Sequence, residues 1–288
     1  MKTIVFFLSV LLPSWFTDFP SPGQPPATAA SLVKKWETEA TLKVPESVLF
    51  DARQNVLYVS NINGQSGEKD GNGFLSKVSL DGKIETLEWV TGLDAPKGMG
   101  LYNNRLYVAD LTDVVVIDTR TGKILQRMAL PDASFLNDVT VTRSGDVYVS
   151  DSSRKRIYLV QGDKVTIWLE SNDLKKPNGL LVAGSGLSML DMDAGIFYQV
   201  DLKSKKLIKF AEGVSSGDGV VAAGDDSYLV SNWNGEVSSV DKTGKVEKLL
   251  DTKDQKLGAA DIEYIPGKKL LLVPTFFGNK VVAYELVK

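Results

Sequence analysis

From Leu42 onward, apolar residues fall in short runs that alternate with polar ones, and the runs are separated by Gly, Asp and Asn turns. Nothing sustains the 3.6-residue apolar period of a helix, so the pattern predicts strands joined by tight turns. The runs also repeat. PESVLFDARQNVLYVSN, PKGMGLYNNRLYVAD, LNDVTVTRSGDVYVSD, PNGLLVAGSGLSMLD, GDGVVAAGDDSYLVSN and ADIEYIPGKKLLLVPT share one plan. Each is a polar residue, a strand, a turn, and a second strand ending on a polar residue. Aligned on the first polar residue, they give Glu46, Lys97, Asn137, Asn178, Asp218 and Asp261, spaced by 51, 40, 41, 40 and 43 residues. A period near 40 with several short strands per unit is the mark of a β-propeller blade. The sequence therefore predicts an all-β, six-bladed propeller of four-stranded antiparallel blades.

The third unit shows all four strands, whereas the sixth runs out of chain after three. KKWETEATL, Lys34 to Leu42, is the candidate for the missing strand. Pairing it beside residues 280–286 would close the ring and cover an open edge. The expected organisation is residues 1–31 as a signal peptide and disordered Pro-rich linker, then residues 32–288 as the propeller. The long first spacing reflects an insertion, INGQSGEKDGNG at residues 62–73. Its Gly, Lys and Glu content predicts a solvated loop, with a flap over a pocket as the other reading.

In a propeller the first strand of each blade lines the central channel, so the six aligned residues form a ring at one mouth. The Asn-Gly of LKKPNGLLV would ordinarily signal a turn, but the alignment makes Asn178 a member of this ring. A capping role would call for Asn, Asp or Ser throughout, and Glu46 and Lys97 break that rule. A second column follows 13 to 15 residues later: Asn61, Asp110, Asp151, Asp191, Asn232 and Thr275. These are expected to tie loop amides, with orientation of the first ring as the alternative. Trp233, Phe276 and Phe277 fall near the same face, as packing between blades or as a pocket wall.

Composition narrows the chemistry sharply. Among 288 residues there is no histidine and no cysteine. Histidine-dependent triads, thiolate catalysis, disulfides and His/Cys zinc sites are excluded. With 33 basic and 36 acidic residues and no basic block, nucleic acid is not an expected partner. At the N-terminus, Lys2 precedes an apolar stretch, Ile4 to Leu12, too short to span a bilayer as a helix. Ala27-x-Ala29 follows as a cleavage signal. The mature protein is expected to be exported, periplasmic or secreted, with no membrane span.

Three carboxylates (Glu46, Asp218, Asp261) and one ammonium (Lys97) meet in the ring. Oxygen donors at a negatively charged mouth suit a hard divalent cation, calcium first, with magnesium, manganese or zinc as alternatives. The competing reading has Lys97 neutralise Asp218 or Asp261 and leaves no metal site.

The motifs PESVLFD, LNDVTVTRSGDVYVSD, PNGLLV and GDGVVAAGDDSYLVSNWNGEV resemble the senescence-marker-protein/gluconolactonase (regucalcin-like) family of six-bladed propellers. The resemblance implies a metal held by Glu46, Asn178 and Asp218, with Asn137 holding the substrate or a water. It implies a lactonase acting on a lactone or sugar-acid derivative. On this chain Asp218, or else Asp261, is the expected base, Asn137 the donor to the substrate, and Lys97, a ring residue that the resemblance does not assign, the charge beside the developing alkoxide. Two departures concern the substrate: PES stands where the family has EGP, and Phe135 and Leu136 are the neighbours of Asn137 where the family's sugar lactonases carry an Arg. The alternative from another class is a non-catalytic ligand- or peptide-binding propeller of the periplasm, in which Lys97 pairs with a ring carboxylate. A strictosidine-synthase-like propeller is a weaker third reading.

Overall fold

The computed structural model describes residues 30–287, and the expectations for a signal peptide and linker fall outside that range. Six four-stranded antiparallel sheets follow one another around a central channel. Five blades are built from consecutive strands in chain order. Their inner strands are Pro45–Asp51, Pro96–Tyr102, Leu136–Val141, Pro177–Ala183 and Gly217–Gly224. The only helical elements among the described residues are two single 3₁₀ turns, Lys253–Gln255 and Pro266–Lys268. No helix among them is long and apolar enough to cross a membrane.

The sixth blade is closed by the N-terminal segment, as the strand count requires. Ser31–Glu37 runs antiparallel to Val281–Val287, with Ser31 opposite Val287 and Glu37 opposite Val282. The closing strand thus starts three residues earlier than the expected Lys34 and ends at Glu37. Leu42 is instead fully buried and packs with Val48, Leu57 and Leu272 where the sixth blade meets the first. Burial of that side chain draws residues 38–42 away from the edge strand and into the inter-blade core.

The core is distributed. Each large hydrophobic cluster lies between two neighbouring blades, as with Tyr107, Val114, Leu136 and Val149 between the second and third. Corresponding wedges fill the other junctions. Period-two alternation explains this, because each twisted sheet offers one face to each neighbour. The channel itself is left to the inner strands, which line it mostly with aliphatic side chains and with Asp138, Thr140, Asp261 and Glu263.

A candidate metal and substrate site at the channel mouth

Each of the five regular inner strands breaks register near its start. The irregularities fall between Pro45 and Ser47, Pro96 and Met99, Leu136 and Val139, Pro177 and Leu180, and Gly217 and Val220. A β-bulge inserts one extra residue and re-aims its side chain. The residues at these bulges are Glu46, Lys97, Asn137, Asn178 and Asp218, and all five are buried. Bulging also frees a backbone N–H in each case. In three blades a serine across the hairpin accepts it: Ser47 N–H to Ser60 Oγ, Asp138 N–H to Ser150 Oγ, and Gly219 N–H to Ser231 Oγ.

Asn178-Gly179 is therefore no turn; it lies within a strand. Glycine is required there for space, since a Cβ on Gly179 would stand 2.0 Å from the Asp218 carbonyl oxygen. That close approach of the fourth and fifth blades lets Asn178 Nδ2 donate to Asp218 Oδ1 at 2.8 Å.

The second column fixes the loops feeding these bulges. Asn61 Oδ1 accepts from Lys43 N–H, and Asp110 from the N–H groups of Asp94 and Ala95. Asp151 accepts from Ser134 and Phe135, and Asp191 from Lys175 and Lys176. Asn232 donates to the Ser215 carbonyl. These residues tie loop amides, as expected, and the tied loops set the start of each inner strand. Thr275 departs from the set, bonding only within its own turn to Lys280.

Glu46, Lys97, Asn137, Asn178 and Asp218 line one cavity of about 190 Å³. Asp261 does not join them. Its N–H donates to the Glu46 carbonyl and its carboxylate accepts from Ser47 Oγ at 2.6 Å, so it stands level with Ser47, one step further along. In a strand one step reverses the side chain's face, and Asp261 instead lines the central channel with Asp138 and Glu263. The six-membered ring of the sequence is a five-membered one.

Three oxygens in the cavity are buried without a hydrogen-bond partner: Glu46 Oε2, Asn178 Oδ1 and Asp218 Oδ2. Burial pushes the Glu46 carboxyl well above the ordinary range, reinforced by the charges of Asp218 and Asp261. Burial and the Asp261 charge raise Asp218 to about 7, against the Asn178 hydrogen bond. These donors, two carboxylates and one carboxamide, fit a hard cation by type and by their unmet acceptor capacity. No three Asp, Glu, His or Cys side chains gather as a metal-binding group among the described residues.

Lys97 does not neutralise the site by an ion pair. Its Nζ donates to the Ala95 carbonyl at 3.0 Å and sits 4.5 Å from the centre of the Phe135 ring. Burial pulls its ammonium below the usual lysine range, against the opposing influence of Glu46. Asn137 Nδ2 donates to Ser152 Oγ at 3.3 Å. Sequence reasoning missed Lys176 and Met192, which also line the cavity, and named Phe135 only as a neighbour of Asn137. Position just before or after an aligned motif was the available signal. Of the 62–73 insertion, Ile62 and Ser66 reach the cavity while the segment from Gly67 to Asn72 is exposed.

The chain shares its fold with known lyases. Virginiamycin B lyase from Staphylococcus aureus, as the selenomethionine protein, superposes with TM-score 0.66 at 12% identity over 90% of this chain and 100% of that one. A catalytically inactive histidine-to-alanine variant of that lyase with quinupristin gives 0.62 and 12%, covering 90% and 99%. A streptogramin B lyase gives 0.64 and 10%, covering 90% and 98%. At such identities the likeness is one of architecture. No protein-family model matches the chain, and no curated protein shows significant similarity to it.

Proposed function

We propose that this propeller is a divalent-metal-dependent hydrolase that opens a small lactone or a closely related ester. The observation carrying this reading is the trio of unpartnered, buried oxygens on Glu46, Asn178 and Asp218 within one cavity. The resemblance of the surrounding motifs to the gluconolactonase family supports the same three residues. Glu46, Asn178 and Asp218 would hold the cation, calcium first, with magnesium, manganese and zinc as alternatives. When bound, such an ion supplies Lewis acidity toward a carbonyl oxygen and makes water more acidic.

The protein's own groups account for the remaining steps. Asp218, a buried carboxylate beside the proposed cation position, is the group that would accept a proton from the attacking water. Water adds to the carbonyl carbon, the ring C–O bond breaks, and the departing alkoxide takes up the proton to give a hydroxy acid. Asn137 retains an amide hydrogen for the substrate beyond its bond to Ser152. Lys97 places positive charge where the leaving oxygen becomes negative. The lyase whose histidine-to-alanine variant is inactive offers no template for proton transfer, because this chain contains no histidine. Export by the N-terminal segment belongs to the same reading.

A lactone panel assayed with each cation, before and after chelation, tests the proposal. Turnover that disappears with chelator and returns with one cation is expected. Hydrolysis indifferent to chelation, or none with any cation, overturns it.

A further inference from the structure

The cavity has a polar floor and apolar walls. Glu46, Lys97, Asn137, Asn178 and Asp218 form the floor, while Ile62, Phe135, Met192, Trp233 and Phe276 stand around it. Apart from the floor, Ser66 and Lys176 are its only polar lining. Above that floor a polyhydroxylated ligand would press hydroxyls against Ile62, Phe135, Met192, Trp233 and Phe276, and burying hydroxyls without hydrogen bonds is unfavourable.

Size points the same way. At about 190 Å³ the cavity is smaller than the roughly 300–1,000 Å³ usual for ligand pockets. Across Trp233 lies a second hollow of about 610 Å³, lined by Trp233, Phe277, Gly258, Asn234, Lys253 and Lys256. Trp233 lines both spaces. Phe276 lines the inner one, and Phe277, 55% exposed, lines the outer one. The three rings meet edge to face, with centroids 4.9 to 5.6 Å apart. Phe276 holds this arrangement at φ 37, a conformation bulky residues seldom adopt and one that needs support from its surroundings. Gly258, at φ +76, leaves room for it: a Cβ there would stand 3.2 Å from Phe276 Cβ and 3.3 Å from the Phe277 ring.

We infer that the substrate is a lactone or ester bearing an apolar arm, aryl or medium-chain alkyl, which crosses Trp233 into the outer hollow while its carbonyl rests on the polar floor. The assignment of the carbonyl rests on the hydrolase reading, whereas binding of the arm needs no turnover.

Calorimetry with non-hydrolysable lactams separates the two. 5-Hexyl-2-pyrrolidinone should bind at least about tenfold more tightly than bare 2-pyrrolidinone, the hexyl methylenes supplying the difference. Trp233→Ala should erase that advantage, and Phe277→Ser, at a position 55% exposed, should reduce it about threefold. Equal binding of the two lactams, or an advantage untouched in both variants, overturns the inference. In parallel, γ-decalactone should be opened with a higher kcat/KM than glucono-δ-lactone. If the hexyl lactam binds through Trp233 and no lactone is opened, the arm site stands and the hydrolase reading fails. If glucono-δ-lactone is the better substrate and the lactams bind alike, the hydrolase reading stands and the apolar arm is rejected.

Discussion

Glu46, Asn178 and Asp218 each leave a buried oxygen unsatisfied, and such an acceptor costs about 1–3 kcal/mol. Asp218 also sits where a base is wanted, and without a cation burial and the neighbouring Asp261 raise it to about 7. Asp218→Asn should therefore lower kcat by about 10²-fold or more, the usual scale for losing a general base. Its circular dichroism and melting temperature should be unchanged or improved, since a desolvated charge is gone. Retained turnover would reject the role. Glu46→Gln should weaken cation affinity by about tenfold or more in calorimetry, and wild-type affinity would remove Glu46 from the ligand set. Five of the six ring positions were readable from repetition because inner strands recur in register. Asp261 was misplaced because the alignment of polar residues takes no account of backbone register. Only the bridge between Ser47 and Asp261 displays the one-residue offset.

At the scale of strands, the recurrent bulge turns a row of residues into a site. Its parts are a side chain at the bulge, a following residue that is glycine in three of the five blades, and an Asn/Asp at the end of the partner strand. Gly179→Ala tests this unit. The added methyl would meet the Asp218 carbonyl at 2.0 Å, a backbone contact that cannot swing aside. Overpacking of this kind costs about 1–3 kcal/mol, so melting should fall by several degrees, at about 2–4 °C per kcal/mol for a chain of this size. Cation affinity should fall with it, because Asn178 and Asp218 are pushed apart. A variant with unaltered affinity and melting would show that the approach of these blades is not confining the site. Strand, turn and strand were legible in period-two alternation. The bulges were not, since inserting one residue into a pairing leaves the apolar pattern almost untouched.

Across the whole ring, the inner strands gather carboxyls that no single blade contains. Asp138, Asp261 and Glu263 line the channel. Burial raises Asp138 well above its ordinary range and carries Asp261 and Glu263 to about 7. Between roughly pH 4 and 7 the folded protein thus holds protons that the unfolded chain has released, so stability falls as pH rises through that window. With chelator present, the melting temperature should be higher at pH 5 than at pH 8 by at least about 5 °C. A cation should restore part of the loss at pH 8 and little at pH 5, where protons compete for Glu46 and Asp218. Melting that climbs from pH 5 to 8 would mean that these groups are ionised and well paired in the folded state. By itself, the sequence determined the blade count, the strand content, the closure by an N-terminal strand and the absence of histidine and thiol chemistry. Each of those follows from local periodicity and composition. The exact register of closure, the exclusion of Asp261 and the aromatic ridge of Trp233, Phe276 and Phe277 were decided only in three dimensions. They depend on how bulges and blade-to-blade packing orient residues that lie far apart along the chain.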